Sequence, residues 1–179
     1  MAQNFSASVA DWVRESKAAM GVVRNEAAQR VIAVMQEPGG SMATTKKAIE
    51  VGFGTGRGGG NSRKRFGPIA NPGGSGNMPV DTGFLRASLV VGIGTVNTPT
   101  TSPPADGGAF SWDEAGANLV IEGADLQSPI EARYTAVYAR VAEYGGPNRV
   151  ARRFVALAAQ QWPRIVADVV SEVGSRSGA

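Results

Sequence analysis

Apolar residues recur at helical spacing over the first part of the chain. Val9, Val13, Met20, Val23, Ala27, Val31 and Val34 follow one another at intervals of three, four or seven, with Trp12 and Ile32 flanking the stripe. That period predicts an amphipathic α-helix, and Arg14, Glu15, Lys17, Arg24, Asn25 and Gln29 fall largely on its other side. Ser8 with Asp11 three residues later predicts a start resembling a capping box, and Pro38-Gly39-Gly40 predicts a firm stop. From Ser8 to Gln36 such a helix is about 40 Å long at about 1.5 Å per residue. A helix of that length either spans the whole domain or leaves part of its stripe for contacts between subunits.

Residues 38–78 break this pattern. They read GFGTGRGGG followed by NSRKRFGPIANPGGSGN, with little apolar periodicity, and predict a mobile excursion from the body. Order is expected again from Pro79, where PVDTGFLRASL offers Asp81 or Thr82 as N-cap of a short helical turn, with Phe84 and Leu85 as its apolar contacts. Leu89–Val96 reads as a strand weakened or bulged at Gly92 and Gly94, and Asn118–Gly123 as an antiparallel partner for it. Residues 97–117 read as a second loop. Tyr134, Val137, Tyr138 and Val141 stand at helical spacing before Gly145-Gly146-Pro147. The last stripe runs through Phe154, Leu157, Ala158, Trp162, Ile165, Val169 and Val173, a helix over 151–173 with a kink or break where Pro163 removes a backbone donor beside Trp162. The expected fold class is α+β in one domain over 1–179. Its parts are a long helix (1–37), a Gly-rich basic loop (38–78), an α+β core with closing helix (79–173) and a tail (174–179).

Composition narrows the chemistry. The chain has neither Cys nor His, which removes disulfides, Cys/His zinc sites, Ser-His-Asp triads and imidazole acid–base catalysis. No cofactor or metal site is expected, and the reading is that of a protein without catalytic activity. Net charge is +3, unevenly spread: residues 1–78 hold 10 Lys and Arg against 5 Asp and Glu, residues 79–179 hold 8 against 10. Lys46, Lys47, Arg57, Arg63, Lys64 and Arg65 face only Glu50, so the basic character belongs to one segment. A solvated loop is the plain reading of that cluster; an attractor of phosphate or of an acidic protein surface is the functional one. The N-terminus shows no basic region followed by an apolar stretch, and no apolar run approaches the roughly 20 residues of a membrane span. A cytoplasm-like compartment and no membrane are therefore expected.

Glu50, Gly52, Gly54 and Gly56 imitate the first motif of Rossmann-like methyltransferases, in which glycines let the backbone approach a cofactor at a helix N-terminus. The context argues against it, because RGGGNSRKRFGP cannot propagate a helix and no alternating strand–helix units follow. Asp113-Glu114 and Glu122/Asp125 read as solvated loop and strand-edge acids, and Tyr134, Tyr138 and Tyr144 as core or interface rings. Arg149, Arg152 and Arg153 oppose the dipole at a helix start, which leaves partner contact or plain surface charge as readings.

Three segments together resemble the head–tail joining and tail-completion family of long-tailed bacteriophages, which includes relatives of the lambda minor tail protein Z. Pro79-Val80-Asp81-Thr82-Gly83-Phe84-Leu85-Arg86-Ala87-Ser88 is similar to that family's PVDTGxLRxS hallmark. Tyr138-Ala139-Arg140-Val141-Ala142-Glu143-Tyr144-Gly145 resembles its Tyr-Ala…Glu-aromatic-Gly segment, and Arg153-Phe154 with its continuation over Val155–Val166 resembles its closing helix.

The resemblance implies a structural ring subunit of the virion neck, in a tail-completion or tail-terminator role, assembled in the host cytoplasm. Implied partners are further copies of itself in a ring, with six favoured over twelve by analogy, a portal-side connector or head-completion protein, and a tail tube or tail terminator protein. The positions expected to matter are Pro79, Asp81, Thr82, Gly83, Leu85, Arg86, Tyr138, Glu143, Gly145, Phe154 and Trp162. Asp81 or Thr82 is expected as the cap, Gly83 as a close-packing point, and Arg86 with Glu143 as an ion pair. Lys46, Lys47, Arg57, Arg63, Lys64 and Arg65 are the expected contacts to a partner or, without sequence preference, to passing DNA. The alternative function is a small nucleic-acid-binding protein that uses this basic Gly/Arg loop.

Overall fold

A computed structural model describes residues 5–39, 78–80, 82–147 and 151–177. The fold is α+β, as the patterning predicts. Helix α1 (Phe5–Gln36) runs into strand β1 (Pro38–Gly39), which pairs in parallel with β2 (Met78–Pro79). A single turn of helix, α2 (Phe84–Ala87), leads into β3 (Leu89–Ile93). Helix α3 (Glu114–Glu122), strand β4 (Ile130–Tyr134) and helices α4 (Ala139–Tyr144), α5 (Phe154–Gln160) and α6 (Trp162–Ser177) complete the order.

The start of α1 differs from expectation. It begins at Phe5, so Ser8 lies inside the helix and caps nothing, while Asp11 pairs instead with Arg14 one turn on. Its end is as predicted: Pro38 has no N–H with which to continue the helix.

Strand β3 forms, and its partner is not the one predicted. Asn118–Gly123 lies within α3 and its C-cap, and the antiparallel partner is β4, with Leu89 opposite Tyr134 and Ile93 opposite Ile130. Asp113 accepts the N–H of Gly116 at 2.9 Å and so starts α3, and Ala117 and Ile121, one helical turn apart, are its buried positions. The run Leu119-Val120-Ile121 is therefore helical, since the positions that face the core, Ala117 and Ile121, are four residues apart and not two. Gly92 pairs regularly with Glu131 and forms no bulge; the strand ends at Gly94, whose φ is +82°. Nor is Tyr134 helical. It closes β4, where Ile130, Ala132 and Tyr134 pack on the core in alternation, and the helix starts only at Ala139.

The closing segment breaks as predicted. Helices α5 and α6 meet at Gln161-Trp162, where Pro163 in the first turn of α6 leaves one carbonyl of α5 without its helical donor. It starts at Phe154 and not at Ala151, after Arg153 with φ 55°.

Three apolar clusters hold these elements together. Ile32, Met35, Leu89, Ile121 and Ala158 join α1, β3, α3 and α5. Met78, Leu85, Ala136, Ala139 and Phe154 join β2, α2, α4 and α5. Ala27, Ile165 and Val169 join the C-terminal half of α1 to α6. Across that last contact Arg30 donates to Glu172 at 2.9 Å and Arg176 reaches Glu26 at 3.5 Å, so the two helices run antiparallel; Arg30 also donates to Glu26, one turn back on its own helix, at 2.7 Å. These hydrogen bonds, Glu172 first, raise the pKa of Arg30, and the bond from Arg30 in turn lowers that of Glu172.

Candidate functional site

The three segments that carry the family resemblance meet in space. Gly83 takes φ +85° at the start of α2, where a Cβ would stand 2.2 Å from the carbonyl oxygen of Phe110. Its predicted close-packing role is thus met, and Phe110 N–H donates back to Thr82 O at 2.8 Å. The N-cap of α2 is Gly83 and not Thr82, which stands one position outside and accepts the N–H of Phe84 on its Oγ1 at 3.3 Å; Asp81 lies outside the described residues. Leu85 is buried with Ala139 and Phe154, and the Phe84 ring stands edge-on to Phe110 and tilted against Tyr138. Tyr134 meets Phe154 edge-on with ring centroids 5.4 Å apart. Pro79 belongs to β2 opposite Gly39, and the N–H of Gly145 donates to Val141 O at 2.9 Å to end α4.

Glu143 has a different partner from the one expected. No ion pair joins it to Arg86; its carboxylate accepts the N–H groups of Val155 at 3.0 Å and Ala156 at 2.9 Å. Those are second and third residues of α5, whose first N–H groups have no acceptor inside the helix. Arg153, at the N-cap position, offers no side-chain acceptor, so a carboxylate from the neighbouring helix supplies it. Its charge also meets the positive end of the helix dipole. The N–H groups of Arg152 and Arg153 donate to Ala142 O and Glu143 O at 3.0 Å each, which binds α4 to the approach of α5. Arg149 lies outside the described residues.

Arg86 instead lines an open groove of about 360 Å³ with Gln36, Glu37, Trp112 and Glu114. Gln36 is only 2% exposed and donates to the Arg86 carbonyl at 3.2 Å. The buried hydroxyl of Tyr134 has no hydrogen-bond partner among the described residues. Burial, and then the nearby charge of Glu143, raise its pKa, against a smaller lowering by Arg86. Sequence patterning marks neither Gln36 nor the Tyr134 hydroxyl, because both burials arise from contacts between elements far apart along the chain.

Three other acidic candidates have hydrogen-bond partners within the fold. Asp113 starts α3, Asp125 accepts the N–H groups of Gln127 and Ser128 at 2.9 Å each, and Glu122 accepts from Gln29 at 3.3 Å. Among the described residues no three metal-ligating side chains cluster, and no helix is long and apolar enough to cross a membrane. Lys46, Lys47, Arg57, Arg63, Lys64 and Arg65, like the methyltransferase-like glycines from Gly52 to Gly56, lie outside the described residues.

What the surface does offer is uncovered apolar area on two separate elements. Along the N-terminal half of α1, Val9, Trp12 and Met20 are exposed, Trp12 to 66%. On and just before α4, Val137, Val141 and Tyr144 form an exposed row at helical spacing, Tyr144 to 73%. Trp162, at the start of α6, lines an open groove of about 490 Å³ together with Arg24, Val31, Met35 and Ile130. Isolated exposed apolar residues are ordinary, but rows of large ones point to contact with another surface. Comparison with protein-family models, with curated proteins and with solved structures finds no match in any of the three.

Proposed function

We propose that this chain is a structural, non-catalytic subunit of the neck of a long-tailed bacteriophage virion, where identical copies close a ring in the tail-completion or tail-terminator layer. The observation that carries the reading is the pair of uncovered apolar rows, Val9–Trp12–Met20 and Val137–Val141–Tyr144, on different elements. A ring closed by rotation requires each subunit to present two different faces, one for each neighbour. The placement in a phage neck rests on the resemblance of residues 79–88, 138–145 and 153–166. The convergence of those segments around Leu85, Ala139, Glu143 and Phe154 supports that resemblance, since one packed unit accounts for all three.

Native mass spectrometry, alone and with purified portal connector or tail tube protein, tests this reading. A ring of six 18.5 kDa chains has a mass of about 111 kDa. A closed oligomer that binds the connector or the tube is expected. A monomer at every concentration, with neither protein bound, would overturn the proposal.

A further inference from the structure

The seam that α1 offers to α6 does not stop where α6 stops. Val9, Val13, Ser16, Met20, Val23 and Ala27 are spaced four, three, four, three and four, the heptad spacing of a helix that packs along another helix. From Val23 to Val34 this face is covered by Ile165, Val166, Val169 and Val173 of α6. Arg176, at the end of α6, is level with Glu26, so the covering helix ends there and the heptad continues toward Val9 for between about four and five further turns. In that continuation Trp12 is 66% exposed and Met20 54%.

We infer that the N-terminal half of α1 docks on the same half of α1 in a second copy of this chain, parallel and in register. The charge pattern selects the orientation. With Val13 and Met20 at the a positions and Val9, Ser16 and Val23 at d, the flanking e positions are Ala10, Lys17 and Arg24, and the g positions are Trp12, Ala19 and Glu26. Parallel helices bring each g residue beside the e residue five positions on in the partner. Trp12 then lies against the Lys17 ammonium of the other copy, an attractive contact of a cation with an aromatic face. An antiparallel pair centred on Ser16 sets Lys17 against Lys17 and leaves Trp12 beside Ala19. Such a contact pairs like with like about a two-fold axis, so it goes beyond the two-faced ring reading and is tested separately from it.

The absence of cysteine from the chain makes the test direct. Val9→Cys, Ser16→Cys and Val22→Cys are introduced singly, treated with a short bis-maleimide and resolved by denaturing electrophoresis, with native mass recorded for each. Val22 is the control, exposed but off the seam. Parallel docking links both Val9→Cys and Ser16→Cys into dimers in at least several-fold greater yield than Val22→Cys, and Trp12→Ala in either background lowers that yield. Linking of Ser16→Cys alone shows an antiparallel contact and overturns the inference. Rings without linkage at either seam position mean that another partner or another part of the chain covers α1; the inference fails while the ring reading stands. Variants that stay monomeric alone and with neck proteins remove both.

Discussion

The Glu143 carboxylate accepts the backbone N–H of Val155 at 3.0 Å, twelve residues further along the chain, and with Ala156 at 2.9 Å it caps a helix other than its own. Glu143 is 5% exposed, so water does not replace it when it is removed. Glu143→Ala is expected to destabilise the fold by about 1–3 kcal/mol, the cost of leaving buried donors unpaired. Glu143→Gln, which keeps an acceptor but loses the charge at the dipole, should cost less. Urea denaturation of the three proteins checks the order, and an alanine variant as stable as the parent would show that the cap carries no stability.

Tyr134 gives the fold an alkaline limit. Its pKa is raised by burial and then by Glu143, so the folded state holds the phenolic proton after the unfolded state has released it. The stabilising contribution is complete below the unfolded tyrosine value of about 10 and is lost as pH rises above it. One proton corresponds to a slope of up to about 1.4 kcal/mol per pH unit there. Tyr134→Phe should remove that slope. At neutral pH it should be no less stable than the parent to within about 1 kcal/mol, because the deleted hydroxyl has no partner among the described residues. Equal alkaline slopes for parent and variant would contradict the assignment.

Two glycine substitutions should have opposite signs. Gly83→Ala places a Cβ 2.2 Å from Phe110 O in a left-handed backbone, and a loss of about 2–3 kcal/mol is expected. Gly21 lies inside α1 with nothing within 4 Å of a built Cβ, and Gly21→Ala should stabilise by about 0.5–1 kcal/mol through helix propensity. Thermal melts of both variants provide the measurement.

The Arg30–Glu172 contact links stability to acid and to salt. The folded-state pKa of Glu172 is lowered, chiefly by its hydrogen bond from Arg30, so its contribution is present above the ordinary glutamate range and is lost as pH falls through the folded value. The difference between parent and Glu172→Gln should therefore be largest near neutrality and vanish in acid. Because both side chains are partly exposed, it should also shrink in about 1 M salt. A difference independent of both pH and salt would assign the effect to packing.

Helices with long, regular stripes are the part of this fold that the sequence makes legible. The period from Val9 to Val34 fixes α1, and Pro163 fixes the break between α5 and α6, because each effect is local to the backbone. The sheet is less legible. In Asn118–Gly123 the run Leu119-Val120-Ile121 has strand-like composition, yet Asp113 capping Gly116 and the four-residue spacing of Ala117 and Ile121 specify a helix. In Ile130–Tyr134 the alternation of Ile130, Ala132 and Tyr134 was present but was masked by Tyr134 and Tyr138 standing one helical turn apart. At the candidate site Gly83 and its neighbours were legible as a motif, whereas the partner of Glu143 was not. Sequence alone suggests pairing the conspicuous cation Arg86 with it, and only the tertiary fold reveals that α5 arrives with unmet N–H groups.

The short parallel pairing of Pro38 with Met78 and Gly39 with Pro79 has its own consequence. Glu37 O accepts the N–H of Met78 at 3.0 Å, so the chain leaves the body and returns to it at neighbouring points. The free energy of closing a loop varies only with the logarithm of its length. Those few backbone pairs therefore hold both ends of the intervening stretch at the end of α1, whatever number of residues lies between them.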